Sequence, residues 1–219
     1  MLNLAVVLTF EALELPPIGT NAYLIQNPET SEAVLVDAPL DAYDEVTKVL
    51  AKKGVRLVAL LMTHGHWDHL LDGWRFMADE IPIYGNSEDQ HFFEDPAKMA
   101  SFAMPGIDLK PMEITHWING GDTIDLLGTS FEVRHVPGHC PGSLLFWLKD
   151  QGIALVGDAI FAGSIGRTDL PLGDFSVLEK SIQEQIYTLP ESTVLCPGHG
   201  PATTVEREMA SNPHVRPAK

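Results

Sequence analysis

Residues 62–70 read MTHGHWDHL. His64, His66 and His69 fall within six positions, with Asp68 between the last two. Three imidazoles and a carboxylate this close compete for protons unless positive charge sits among them. A fold that accepts this stretch must bring it where a cation can be held, and must supply further ligands from elsewhere in the chain.

Those further ligands sit where apolar strand patterns give out. VALLMTH delivers His64 and His66, VRHVPGH delivers His139, ALVGD delivers Asp158, and VLCPGH delivers His199. Side chains alternate along an extended segment, so His64 and His66 share a face. The chain then passes into a helical pattern that aims Asp68 and His69 at a second point. Gly138, Gly157 and Gly198 precede the later ligands and allow tight turns over the strand ends.

Five histidines and two aspartates are too many for one tetrahedral ion, which takes three protein groups and a water. They suit two ions. His64, His66 and His139 are assigned to one, and Asp68, His69 and His199 to the other, with Asp158 bridging both. Imidazole and carboxylate together suit zinc, and iron(II) or manganese are compatible. Two such cations sharing a water lower its pKa to about 7, giving a hydroxide nucleophile at neutral pH without a serine or cysteine.

Other candidates read differently. His91, His116 and His214 stand alone and read as surface or core residues, and His135 reads as structural. Asp68 by itself could cap a helix. Cys140 reads as a packing residue, since nothing marks a lowered thiol pKa. Trp67 and Trp74 suit a pocket wall or the core. Asp37, ending the strand AVLVD, is placed to brace the metal loop through hydrogen bonds.

Runs rich in aliphatic residues recur as strands, from MLNLAVVLTF through AYLIQ, EAVLVDA and RLVALLMTH to FEVRHV, SLLFWL, GIALVGD and STVLCPGH. Helical spacing appears over 41–53 (Val46, Val49, Leu50, then Gly54) and over 69–79 (Leu70, Trp74, Met77). Ser176 with Glu179, and Thr203 with Glu206, have capping-box spacing. The stretch 86–102 predicts a helix interrupted near Pro96. This interleaving fits an α/β chain, either one doubly wound sheet or two sheets covered outside by helices.

A formal charge of −16 opposes binding a polyanion by charge alone, so nucleic acid is not an expected partner. No apolar run reaches the roughly 20 residues needed to span a bilayer. Two cysteines, Cys140 and Cys196, make no disulfide framework, although one bridge is formally possible. The expected setting is cytoplasmic.

The motifs resemble those of the metallo-β-lactamase superfamily. THGHWDH fits its H-x-H-x-D-H signature, and PGHCPGS, VGDAIF and CPGHG fit its later motifs in order, from GTNAYLI (19–25) to the C-terminus. The resemblance implies an αββα sandwich of two mixed β-sheets flanked by helices, with the binuclear site along one edge. It also implies one domain over residues 1–219.

Through GDAIFAGSIGRTDLPLGD and PGHGPATTVEREMASNP the chain is most similar to small glyoxalase II-like hydrolases. That likeness implies cleavage of a small-molecule thioester such as a hydroxyacylglutathione, with no membrane partner. Arg167 matches the place of a glutathione-contacting lysine, with Asp169 in place of a tyrosine nearby, and a C-terminal glutathione-binding helical domain is not expected. The nearest rival is a persulfide dioxygenase, which shares the fold and holds one iron at positions matching His64, His139 and Asp158; His199 argues for the hydrolase. Lactonase and β-lactamase activity, or a non-catalytic metal-binding module, are the further alternatives.

Overall fold

In the computed structural model, which describes residues 6–218, the chain forms two six-stranded mixed sheets packed face to face, with helices outside each. The first sheet takes Thr9–Leu15 (β1), Thr20–Asn27 (β2), Glu32–Val36 (β3), Arg56–Leu61 (β4), Ile83–Gly85 (β5) and His116–Trp117 (β6), in that spatial order. The second takes Thr123–Leu126 (β7), Thr129–His135 (β8), Leu144–Leu148 (β9) and Ile153–Gly157 (β10). A small hairpin of Ile160–Phe161 (β11) and Ser164–Ile165 (β12) intervenes before Val194–Pro197 (β13) and Thr203–Thr204 (β14) complete it. Its spatial order is β14-β13-β10-β9-β8-β7, with β10 and β13 parallel. This is the αββα sandwich, so the two-sheet reading holds over a single doubly wound sheet.

Both faces of the central strands are buried, which is why they read as continuous apolar runs. Alternation then sorts the side chains into layers. In β2, Leu24 packs outward under the helices while Ile25 packs between the sheets. In β9, Leu144, Phe146 and Leu148 face the inter-sheet layer, and Leu145 and Trp147 face the helices on the other side. Phe146 is fully buried between the sheets. Phe146→Ala is expected to lower unfolding free energy by about 3–5 kcal/mol in urea titration, the cost of an aromatic-sized cavity.

The first helix, Ala42–Lys53 (α1), buries Val46 and Leu50 and ends where Gly54 turns left-handed at φ 65°. The pattern over 69–79 is not one helix. It splits into Trp67–Leu70 (α2) and Gly73–Ala78 (α3), because the turn between them is tethered to the end of β3. Ala38 N donates to His69 O at 2.7 Å, and Asp72 N donates to Ala38 O at 2.9 Å. That tether fixes where Asp68 and His69 point.

The segment around Pro96 forms the short helix Gln90–Glu94 (α4) between two 3₁₀ turns, as its interruption predicts. The next helix, Phe175–Ser181 (α5), is capped by Asp174 rather than Ser176. The Asp174 carboxylate accepts from the backbone of Ser176 and Val177, a stronger acceptor than the serine hydroxyl. It continues into a π-helical turn at Ile182–Ile186. The last helix, Val205–Ser211 (α6), is capped by Thr204 rather than Thr203, whose hydroxyl donates to buried Glu208. The run MLNLAVVLTF forms strand only from Thr9; residues 1–5 lie outside the described residues. Cys140 and Cys196 are both free thiols. No described helix is long and apolar enough to cross a membrane.

Candidate metal centre

The sequence-predicted ligands come together at one edge of the sandwich. Beyond β4 the chain runs through Thr63–His66, and two buried carboxylates hold this loop from either side. Asp37, just past β3 at φ 61°, accepts from Thr63 N at 2.8 Å and from Thr63 Oγ1 at 2.7 Å. It also contacts His69 Nδ1 at 2.8 Å. Its expected bracing role is therefore seen, and it reaches a side chain as well as the backbone.

Asp89 does the same on the other side, accepting from Gly65 N at 2.8 Å, Gly142 N at 2.6 Å and Cys140 Sγ at 3.0 Å. The sequence reading missed it. The available signal was an acid at the helical spacing of Phe92 and Phe93, on a face that is otherwise apolar.

The later ligands rise from the second sheet. His139 follows Gly138 (φ 124°), and Asp158 follows Gly157 (φ 49°), left-handed positions that suit glycine. Gly198 answers a different need. A Cβ there would overlap Asp158 Oδ1 and lie 2.6 Å from His69 Cε1. Gly198→Ala is expected to push Asp158 and His69 apart and weaken metal uptake at least about tenfold, within the range seen when ligand support is disturbed. Metal analysis after dialysis checks it, with circular dichroism to confirm the fold. The strand end itself is pinned to the first sheet, where Asn21 N donates to Gly198 O at 2.7 Å and Tyr23 Oη to Pro197 O at 2.7 Å.

Hydrogen-bond partners fix the tautomers. Thr63 Oγ1 gives its proton to Asp37, so it must accept from His64 Nδ1, 3.0 Å away. His69 Nδ1 faces Asp37, His139 Nδ1 faces Arg167 O at 2.7 Å, and His199 Nδ1 faces Gly19 O at 3.2 Å. Each of these four rings therefore donates outward from Nδ1 and turns Nε2 inward. His66 is reversed, with Nδ1 set 2.8 Å from His139 Nε2.

The inward atoms form clusters within which all donors lie within 4.8 Å of one another: His64, His66 and His139; and Asp68, His69 and His199. His64, His69 and Asp158 meet the same test. Asp158 lies between, with Oδ2 3.5 Å from both His139 Nε2 and His199 Nε2, and Oδ1 3.3 Å from His69 Nε2. Asp68 Oδ2 is 3.1 Å from His199 Nε2 and accepts from Thr20 Oγ1 at 3.0 Å.

The charges are arranged accordingly. Burial, then the neighbouring imidazoles, holds His64 well below its ordinary pKa, and burial followed by His139 does the same to His66. Burial opposes charge on His69 too, but Asp68, Asp158 and Asp37 outweigh it and raise its pKa well above the usual value. His199 is likewise raised to about 9, against burial, by Asp158 and Asp68. Burial works against ionising the two carboxylates, yet His69 and His199 bring Asp68 below the ordinary value and Asp158 well below it. The pair of carboxylates thus demands positive charge. Buried His64 Nε2, His69 Nε2 and Asp158 Oδ1 have no hydrogen-bond partner within the protein. Unpaired donors of this chemistry, aimed at shared points, fit divalent cations.

These groups form the floor of a cleft of about 380 Å³ whose walls include Ile18, Trp67, Phe102, Phe161, Leu170 and Arg167. Arg167 holds His139 through its backbone, while its exposed guanidinium is paired to Asp169 by Nε and Nη2, each at 2.7 Å. That pairing lowers the Asp169 carboxyl to about 2. Cys140 is buried with its thiol pushed well above the ordinary range, as a packing residue would be. His135 contacts Pro141 O at 2.7 Å away from the clusters, in a structural role. Trp74 lies outside the cleft, under Lys110.

A binding edge built by strand ends of a two-sheet sandwich, with His and Asp clusters fit for metal, defines a class of metal-dependent proteins. The chain belongs to the metallo-beta-lactamase superfamily: the Lactamase_B family profile matches residues 15–199. It is 32% identical over 212 residues to the hydroxyacylglutathione hydrolase GloC of Haemophilus influenzae, covering 95% of this chain and 98% of that one. Among solved structures it is similar to BLEG-1 B3 metallo-beta-lactamase, with a TM-score of 0.86 at 36% identity over 94% of this chain and 98% of that one. It is also similar to TTHA1623 in a di-iron-bound form, with a TM-score of 0.79 at 32% identity over 93% and 98%.

Proposed function

We propose that this protein is a binuclear metal-dependent hydrolase of small thioesters, working in the cytoplasm. The observation that carries the reading is the position of Asp158, whose carboxylate reaches both ligand clusters. In this reading His64, His66 and His139 would hold one ion, and Asp68, His69 and His199 the other. Asp158, within reach of both clusters, would serve both, and zinc is the expected metal, with iron(II) or manganese as substitutes. When bound, a pair of divalent cations supplies Lewis acidity and a nucleophilic water at neutral pH.

The chain's own groups supply the rest. Asp37 fixes the His69 ring and the Thr63 loop so that the donors meet an ion without reorganising. The cleft walls would orient the acyl chain over the floor. Overall, water adds across the thioester: a C–O bond forms, the C–S bond breaks, and the thiol leaves with a proton. A thiolate is a good leaving group, so no separate acid beside the sulfur is required. Support comes from the likeness to GloC for the thioester and from TTHA1623 for a two-metal centre. The two free thiols agree with a reducing compartment.

The test is metal analysis beside parallel assays with a thioester, a persulfide and a chromogenic cephalosporin. Expected are about two ions per chain, thioester cleavage and no oxygen uptake. One iron per chain with oxygen consumed on persulfide would establish the dioxygenase instead. Turnover of the cephalosporin alone would make the chain a β-lactamase.

A further inference from the structure

The cleft mouth carries a charge and polarity pattern that the thioester reading alone does not explain. Arg167 is the only Lys or Arg among the described residues lining the cleft. Its guanidinium is already engaged side-on by Asp169, two residues along the same loop. Apart from Ser164 the remaining wall above the ligand floor is apolar, and at its rim Ile18 and Phe102 are 48% and 42% exposed. Half-exposed apolar side chains flanking a functional pocket mark a surface that a ligand covers. Over its whole length the chain carries 30 acidic against 14 basic residues, a net charge that resists an approaching anion.

Resting on the hydrolase reading, we infer that the cleft selects thioesters with an apolar acyl chain and an uncharged thiol arm, and that Asp169 sets this preference by screening Arg167. Asp169 is a positioning residue. It occupies the Nε–Nη2 edge that could grip a substrate carboxylate and cancels the charge that would attract one. A glutathione arm, with two carboxylates and one ammonium, therefore meets a neutralised cation and an apolar rim. An acyl chain such as hexanoyl instead covers Ile18 and Phe102 and displaces water from them.

The test is a two-by-two panel on the metal-loaded protein: lactoyl and hexanoyl thioesters, each made with glutathione and with N-acetylcysteamine, which is uncharged. Hexanoyl is expected to exceed lactoyl in kcat/KM by about tenfold on either thiol, the scale of a well-packed methylene or more. N-acetylcysteamine thioesters should match or exceed their glutathione counterparts. Asp169→Asn should lower KM for lactoylglutathione about threefold at unchanged kcat, the scale of an exposed ion pair. Asp169→Glu should restore the original KM, and Arg167→Ala combined with Asp169→Asn should erase the gain. Lactoylglutathione as the best substrate of the unaltered protein, or no KM response to Asp169→Asn, overturns this inference and leaves the hydrolase reading standing. Cleavage of none of the four overturns both.

Discussion

Asp158→Ala is expected to lower bound metal to about one ion per chain or fewer and to cut thioester turnover at least about a thousandfold, some 4 kcal/mol of transition-state stabilisation. The size follows from its position. Among the described residues it is the one carboxylate within 3.5 Å of donors in both clusters, His139 on one side and His199 on the other. Its loss leaves Asp68 as the remaining carboxylate beside His69 Nε2, with Asp37 still on Nδ1, and removes one of the two carboxylates among the seven proposed ligands. Asp158→Asn keeps the shape but not the charge, and should lose the second ion as well. Metal content by mass spectrometry, read beside turnover, decides the matter; a variant that keeps both ions would remove the bridge from the proposal.

The second large effect is expected at a residue that lies behind the clusters. Asp37→Ala leaves Thr63 N, Thr63 Oγ1 and His69 Nδ1 without their acceptor in a site that is nearly closed to solvent. Each stranded donor costs about 1–3 kcal/mol. Releasing the His69 ring should weaken metal affinity by about 10–100-fold. Zinc competition with a chromophoric chelator measures the second quantity and urea titration of the metal-free protein the first. Asp37→Asn separates them in part, since its carbonyl can still accept from Thr63 while its amide nitrogen cannot accept from His69. Wild-type zinc affinity in both variants would show that the His69 ring is held by packing alone.

Much of this was legible in the chain because ligands and strands share a signal. Each of His64, His139, Asp158 and His199 closes an apolar run, and a run that ends in a metal-binding residue type locates both a strand and a sheet edge. Asp37 was readable for the same reason. Asp89 was not, since its three partners, Gly65, Cys140 and Gly142, lie in loops that only tertiary folding brings near. The strand His116–Trp117 is two residues long and exposed, too short for alternation to register. The break between α2 and α3 was hidden because helical spacing continues across it, and only the bonds from Ala38 interrupt it. Pairings such as β10 with β13 join segments about 40 residues apart, for which local pattern holds no information.

One further consequence lies in how the donors are shared out between the layers. His64 and His66 leave the first sheet at β4 and Asp68 and His69 follow on α2, whereas His139, Asp158 and His199 leave the second at β8, β10 and β13. Under the proposed assignment, neither layer owns a complete coordination set. Tight capture of an ion must therefore wait until the halves of the sandwich have met, and a bound ion in turn rivets them together. Time-resolved metal uptake during refolding would then serve as a clock for the docking of the two halves.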